Sequence, residues 1–71
     1  MSENMVELEP EEEQILGILY SANKPLPTER IAIRADMAWQ TAKRHLHALR
    51  GKGIVERKKI GRAVYWWLRT E

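Results

Sequence analysis

Thr41-Ala42-Lys43-Arg44-His45-Leu46-His47-Ala48-Leu49 is the stretch on which the reading of this chain turns. At helical spacing, Ala42, His45, Leu46 and Leu49 fall on one face (i, i+3, i+4, i+7), which suits burial. The remaining and flanking positions carry Trp39, Gln40, Lys43, Arg44, His47 and Arg50. These side chains donate hydrogen bonds, carry positive charge or stack. No acidic residue occurs in residues 38–55. One short helix thus combines a face for a core with a face for a polyanion.

Toward the N-terminus, Asp36-Met37-Ala38 reads as a tight connection, with Met37 plugging the core between two helices. The helix before it spans residues 29–35, with Thr28 as its cap after Pro27. Ile31, Ala32 and Ala35 make its inner face, and Ile33 points elsewhere. Residues 21–27 are a loop that Leu26 can anchor, and a short extra strand has room just before the second helix. Glu9-Pro10-Glu11-Glu12-Glu13 starts a first helix: proline fits the first turn, and carboxylates there oppose the positive end of the helix dipole. Ile15, Leu16, Ile18 and Leu19, with Tyr20 near the end, form its apolar stripe over about three turns. Gly17 inside it lowers helix propensity by ~1 kcal/mol against alanine, and fits a close approach by another element.

Toward the C-terminus, Gly51-Lys52-Gly53 ends the long helix, which runs over residues 38–51. Ala38 is a poor cap for it. The period then changes to two. Residues 54–59 read as a strand, 60–62 as a turn with Gly61 at its centre, and 63–69 as a strand rich in β-branched and aromatic residues. Val64, Trp66 and Leu68 share the face assigned to the core, and Tyr65, Trp67 and Arg69 the other. The fold class is mainly α with a β-hairpin (α+β), in the order helix-helix-helix-strand-strand. Residues 1–7 show no period and read as loose, and residues 8–71 form one domain.

Charge sharpens the reading. The net charge of +2 conceals six glutamates and no basic residue in residues 1–13, against all 12 Lys and Arg and four acids in residues 14–71. Such segregation favours a face that meets a polyanion. The chain has 71 residues and no cysteine. It buries about 60% of its unfolded surface, which leaves little room for a pocket. No apolar run approaches the ~20 residues of a membrane span, and the N-terminus lacks a basic-then-apolar signal pattern, so a cytoplasmic protein is expected.

A helix pair joined by a three- or four-residue turn, the second helix basic, is a helix-turn-helix. Such a helix fits the major groove of B-DNA, where base edges display hydrogen-bonding patterns. The side chains placed to reach double-stranded DNA are Trp39, Gln40, Thr41, Lys43, Arg44 and His47. Gln40 can pair with adenine and Arg44 with guanine. Thr41 can touch a thymine methyl or a phosphate, and Lys43 suits a phosphate. Arg57, Lys58, Lys59 and Arg62 crowd the hairpin tip, more cations than the protection of an edge strand needs, and suit the phosphate backbone or the minor groove.

The run Thr41-Ala42-Lys43-Arg44-His45-Leu46, then Leu49, Lys52-Gly53-Ile54-Val55, and Gly61-Arg62 followed by Trp66-x-Leu68, resembles winged helix-turn-helix DNA-binding domains. The nearest likeness is to small prokaryotic, archaeal-looking transcription regulators of the ArsR and MarR kind, over about residues 8–69. The resemblance implies that residues 38–51 form the recognition helix and 56–63 the wing. It places Gln40, Thr41, Lys43, Arg44 and His47 at base- and phosphate-facing positions, and Ala42, Leu46 and Leu49 in the core. His45 matches a position where such proteins carry a packed, hydrogen-bonded histidine. Ala38 and Trp39 depart from the small polar residues usual there. Trp39 suits three roles: packing under the wing, stacking at DNA, or meeting a partner.

Family regulators often add helices for dimerisation or effector binding, and this chain shows neither. The sequence leaves monomer or homodimer open; a homodimer, if one forms, is expected to use the first helix, Ile33 or the Tyr65/Trp67 face. His45 and His47 lie two apart on a helix and face different ways, with no cysteine and no clustered carboxylate expected beside them, so no metal and no cofactor is implied. No nucleophile beside a base, no paired carboxylates and no phosphate-cradling glycine loop appear, so no enzyme is expected. The chain reads as a sequence-specific double-stranded DNA-binding protein that regulates transcription. The alternative is a winged-helix protein–protein interaction module in a transcription or replication assembly, supported by the apolar surplus of Ile33, Trp39, Tyr65 and Trp67.

Overall fold

The computed structural model describes residues 7–70. The expectation for residues 1–7 lies outside these, Glu7 excepted. The elements run α1 (Pro10–Ala22), β1 (Leu26–Pro27), α2 (Thr28–Ala35), α3 (Trp39–Gly51), β2 (Val55–Ile60) and β3 (Ala63–Leu68). The three strands form an antiparallel sheet in the order β1-β3-β2. The short extra strand before the second helix is thus present as β1, pairing Leu26 with Trp66 and Pro27 with Tyr65.

Each helix stops for a reason visible in its last residues. Asn23 takes a left-handed conformation after α1, and its N–H donates to the Leu19 carbonyl at 3.1 Å. Asp36 does the same after α2. The N–H of Asp36 reaches Ile33 O and that of Met37 reaches Ala32 O, the two hydrogen bonds of a Schellman ending. Gly53, at φ +79°, closes α3 with the same pair of bonds, Gly53 to Arg50 and Ile54 to Leu49. The Asp36-Met37-Ala38 connection therefore sets the angle between α2 and α3 by backbone hydrogen bonds. At the start of α1, Pro10 occupies the first turn and the Glu9 N–H donates to the Glu12 carboxylate at 3.3 Å.

The core is Ile15, Leu19, Leu26, Ile31, Leu46, Leu49, Val55 and Trp66. Trp66 is its largest side chain, 1% exposed. A buried indole needs a partner for its N–H. Here Trp66 Nε1 donates to Thr28 Oγ1 at 2.7 Å, and the Thr28 hydroxyl donates to the Val64 carbonyl at 3.3 Å. This corrects the expected cap. Pro27 precedes the helix, and Thr28 is its first residue, turned inward to tie α2 to the central strand. Tyr20 also departs from its expected place. It is 78% exposed, because it lies well off the line through Ile15 and Leu19. Val64 and Leu68 pack against the core beside Trp66, as their alternation requires, and Met37 packs there too.

Gln14 ties two helices by donating from Nε2 to the Ala35 carbonyl at 2.8 Å. Among the described residues, a Cβ built at Gly17 meets nothing within 4 Å, so none of them makes the close approach its sequence suggests.

Candidate nucleic-acid interface

The buried face of α3 is Ala42, His45, Leu46 and Leu49. Burial of this stripe against α1, α2 and β2 leaves Trp39, Gln40, Lys43, Arg44, His47 and Arg50 exposed on the opposite side. Thr41 is half-buried between the two faces. The hairpin supplies the second wall. Its two-residue turn, Gly61-Arg62, joins Ile60 to Ala63, and Gly61 at φ +64° takes the first central position of a type II′ turn, where glycine is required. Alternate residues of a strand face opposite sides. Arg57 pairs with Trp66 and Lys59 with Val64, so both extend the core-facing side of the hairpin out toward α3.

Between α3 and this face lies a cleft of about 550 Å³, lined among others by Trp39, Lys43, His47, Arg57, Lys59 and Arg62. The cations are held over aromatic rings. Lys43 Nζ sits 4.9 Å from the centroid of the Trp39 ring, and the Arg57 guanidinium 5.9 Å from that of Trp66. The His47 ring meets Trp66 edge-on, 5.2 Å between centroids. Partial desolvation, reinforced by the positive charges of Arg57, Lys43 and Arg50, lowers the His47 pKa below the usual histidine value. The ring is therefore neutral near pH 7, in a field that favours an incoming anion. Glu29 is the single carboxylate lining the cleft among the described residues.

No family model matches the sequence, and no curated protein matches it. Solved structures do. A crystal structure of a possible transcriptional regulatory protein from Mycobacterium bovis (fragment 1–100) is 32% identical, covering 84% of this chain and 62% of that one, at a TM-score of 0.78. A solution structure from the same organism, described as a homodimeric winged helix-turn-helix DNA-binding domain of a possible ArsR-family regulator, is 33% identical over 82% of this chain and 52% of that one, at 0.73. A MarR-family transcriptional regulator from Silicibacter pomeroyi is 30% identical over 87% of this chain and 42% of that one, at 0.79. The chain is a winged helix-turn-helix domain. It resembles those of ArsR- and MarR-type regulators and spans about two fifths to three fifths of the chains it matches.

Within this winged helix, α3 occupies the place of the recognition helix and β2–β3 that of the wing. Six of the ten residues singled out from sequence meet in the cleft: Trp39, Lys43, His47, Arg57, Lys59 and Arg62. Gln40 and Arg44 stand on the exposed face of α3 outside it. Trp39 is 48% exposed at the mouth, neither buried under the wing nor free of it. Lys58 is separated from its neighbours. It pairs with Tyr65, and the alternation that brings Arg57 and Lys59 into the cleft sends it to the rear of the wing. Trp66 belongs to the cleft as well as to the core, a double role that its alternating pattern did not announce.

His45 overturns one expectation. Carboxylates do cluster beside it: its Nδ1 lies 3.7 Å from Glu9 Oε1 and 3.7 Å from Glu12 Oε2. Glu9, Glu11 and His45 each offer a ligand atom within 4.8 Å of one another. Glu12, outside that ligand set, is paired with a cation instead: Lys52 Nζ lies 2.8 Å from Glu12 Oε1 and donates to the Glu7 carbonyl at 2.9 Å. Glu12 is buried, and its hydrogen bond to Lys52 lowers its pKa against the opposing effect of burial. The acidic helix start thus anchors the end of α3, a contact across 40 residues that local pattern does not reveal.

Proposed function

We propose that this winged helix binds double-stranded DNA sequence-specifically and regulates transcription, with α3 in the major groove and the β2–β3 wing on the backbone or minor groove. The observation that carries the reading is the cleft. Four cations from two separate elements, Lys43, Arg57, Lys59 and Arg62, line one concave face with Trp39 and His47. Phosphates are the ligand that such a face fits, and α3 presents Gln40 and Arg44 alongside for base edges. The matched structures described as transcriptional regulators support the same reading.

In this reading the protein works in the cytoplasm; no helix among the described residues is long and apolar enough to cross a membrane. It needs no metal to meet DNA, since Lys43, Arg57, Lys59 and Arg62 already supply the positive charge of the cleft. It acts as a homodimer, whose two recognition helices meet half-sites about 34 Å apart. The test is amide-shift mapping with duplex DNA at low salt. Shifts are expected in residues 39–47 and 57–62. A chain that shows none there, while shifting around Ile33 with a protein partner, is an interaction module instead; Ile33, 65% exposed, is the observation that favours that alternative.

A further inference from the structure

Glu29 is out of keeping with the cleft it lines. Lys43, Arg57, Lys59 and Arg62 share that cleft, yet among the described residues Glu29 forms an ion pair with none of them. Carboxylates elsewhere do find cations: Glu12 holds Lys52 at 2.8 Å, and Glu56 meets Arg69 at 3.4 Å. In the cleft, Lys43 and Arg57 lie over the rings of Trp39 and Trp66 instead. Glu29 is exposed on the first turn of α2. A carboxylate there opposes the positive end of the helix dipole, but that role does not require a place in the cleft. Its neighbours Pro27 and Thr28 line the same wall. Proline has no N–H, and the Thr28 hydroxyl is taken up by the Trp66 indole and the Val64 carbonyl. This wall therefore offers a phosphate a charge that repels it and no free side-chain donor.

We infer that Glu29 determines specificity by repulsion: it weakens binding held by phosphate contact alone. The inference rests on the proposed DNA binding and deepens it. An ionised carboxylate only accepts hydrogen bonds, as phosphate oxygens do, so the two repel with nothing shared between them. A duplex whose sequence suits Gln40 and Arg44 has its backbone placed by those base contacts, which stand outside the cleft. A duplex of unsuitable sequence is held by its phosphates and settles wherever the cleft attracts it most. Glu29 removes the α2 wall as such a place, so the unsuitable duplex loses more. Discrimination is a difference of two affinities, and weakening the wrong complex serves it as well as strengthening the right one.

The test is Glu29→Gln, which keeps the size of the side chain and removes its charge. A duplex selected by the parent chain from a randomised pool and a random duplex are titrated by fluorescence anisotropy over a series of salt concentrations. Glu29→Gln should tighten the random duplex by about fivefold or more and the selected one by less than about twofold, so that their ratio falls. On the random duplex the slope of log K against log salt should steepen by roughly one, as one more phosphate is engaged. Glu11→Gln removes the same charge from an exposed position on α1 outside the cleft, and should change either duplex by less than about twofold. Equal tightening of both duplexes by Glu29→Gln, no tightening of either, or the same effect from Glu11→Gln overturns the inference while leaving DNA binding in place. A parent chain that binds neither duplex at low salt overturns the DNA reading and this inference with it.

Discussion

Glu12 shows how much one side chain can join. It is buried, closes the first turn of α1 by accepting the Glu9 N–H, and holds Lys52 at the far end of α3. Glu12→Gln keeps the size and one hydrogen bond but strands the ammonium, and should lower stability by about 1–3 kcal/mol at neutral pH, measured by urea unfolding. The pH dependence has a defined sign. The folded-state pKa of Glu12 is lowered, so its contribution is present above the unfolded value of 4.5 and is lost as pH falls through the folded one. The Gln variant should therefore converge on the parent in acid. His47 acts in a higher window. Partial desolvation and three cations lower its pKa below 6.5, so the unfolded chain takes up protons first and stability declines as pH drops below that value. On the proposed reading, phosphate beside His47 favours its charged form. Duplex binding should then take up a proton and tighten from pH 7.5 to about 5.5 in parent but not in His47→Gln, read by fluorescence anisotropy.

At the scale of elements, α3 and the wing divide the work by their periods. The 3.6-residue period of α3 buries Ala42, His45, Leu46 and Leu49 and turns Gln40, Lys43, Arg44 and His47 outward, much as the amphipathic pattern of residues 41–49 requires. The period of two in β2 splits a run of three cations that looks uniform on paper. Arg57 and Lys59 enter the cleft, whereas Lys58 leaves it. Three substitutions separate these roles in titrations of a selected duplex and a random one. Arg44→Ala should weaken the selected duplex more than the random one. Lys59→Ala should weaken both by a similar factor. Lys58→Ala should change either one least. Equal losses for Arg44→Ala on the two duplexes would remove it from base recognition.

Over the whole molecule, the acidic start of the chain and its basic remainder are not simply opposite poles. Glu12 is spent internally on Lys52, Glu13 stands exposed on the side of α1, and the cations gather on α3 and the wing. If the cleft cations and Arg44 all meet phosphate or base, log K should fall with log salt at a slope of roughly −4, and two such copies on one operator should about double it. A slope near zero would count against the DNA reading. The fold class was legible in the sequence because each element carries its own local signal: proline and acids at the head of α1, apolar periods of 3.6 and then of two, glycine at the stop of α3 and in the wing turn. The division of α3 into buried and outward faces was equally local. What only the tertiary structure decided are the contacts between residues far apart in the chain. Thr28 leaves its capping role for the Trp66 indole, Glu12 finds Lys52, carboxylates surround His45, and Lys58 parts from its neighbours. The physical reason is the same in each case. Periodicity reports which way a side chain points along its own element, but a polar group that becomes buried must find a partner wherever packing supplies one, and packing is set only when all the elements meet.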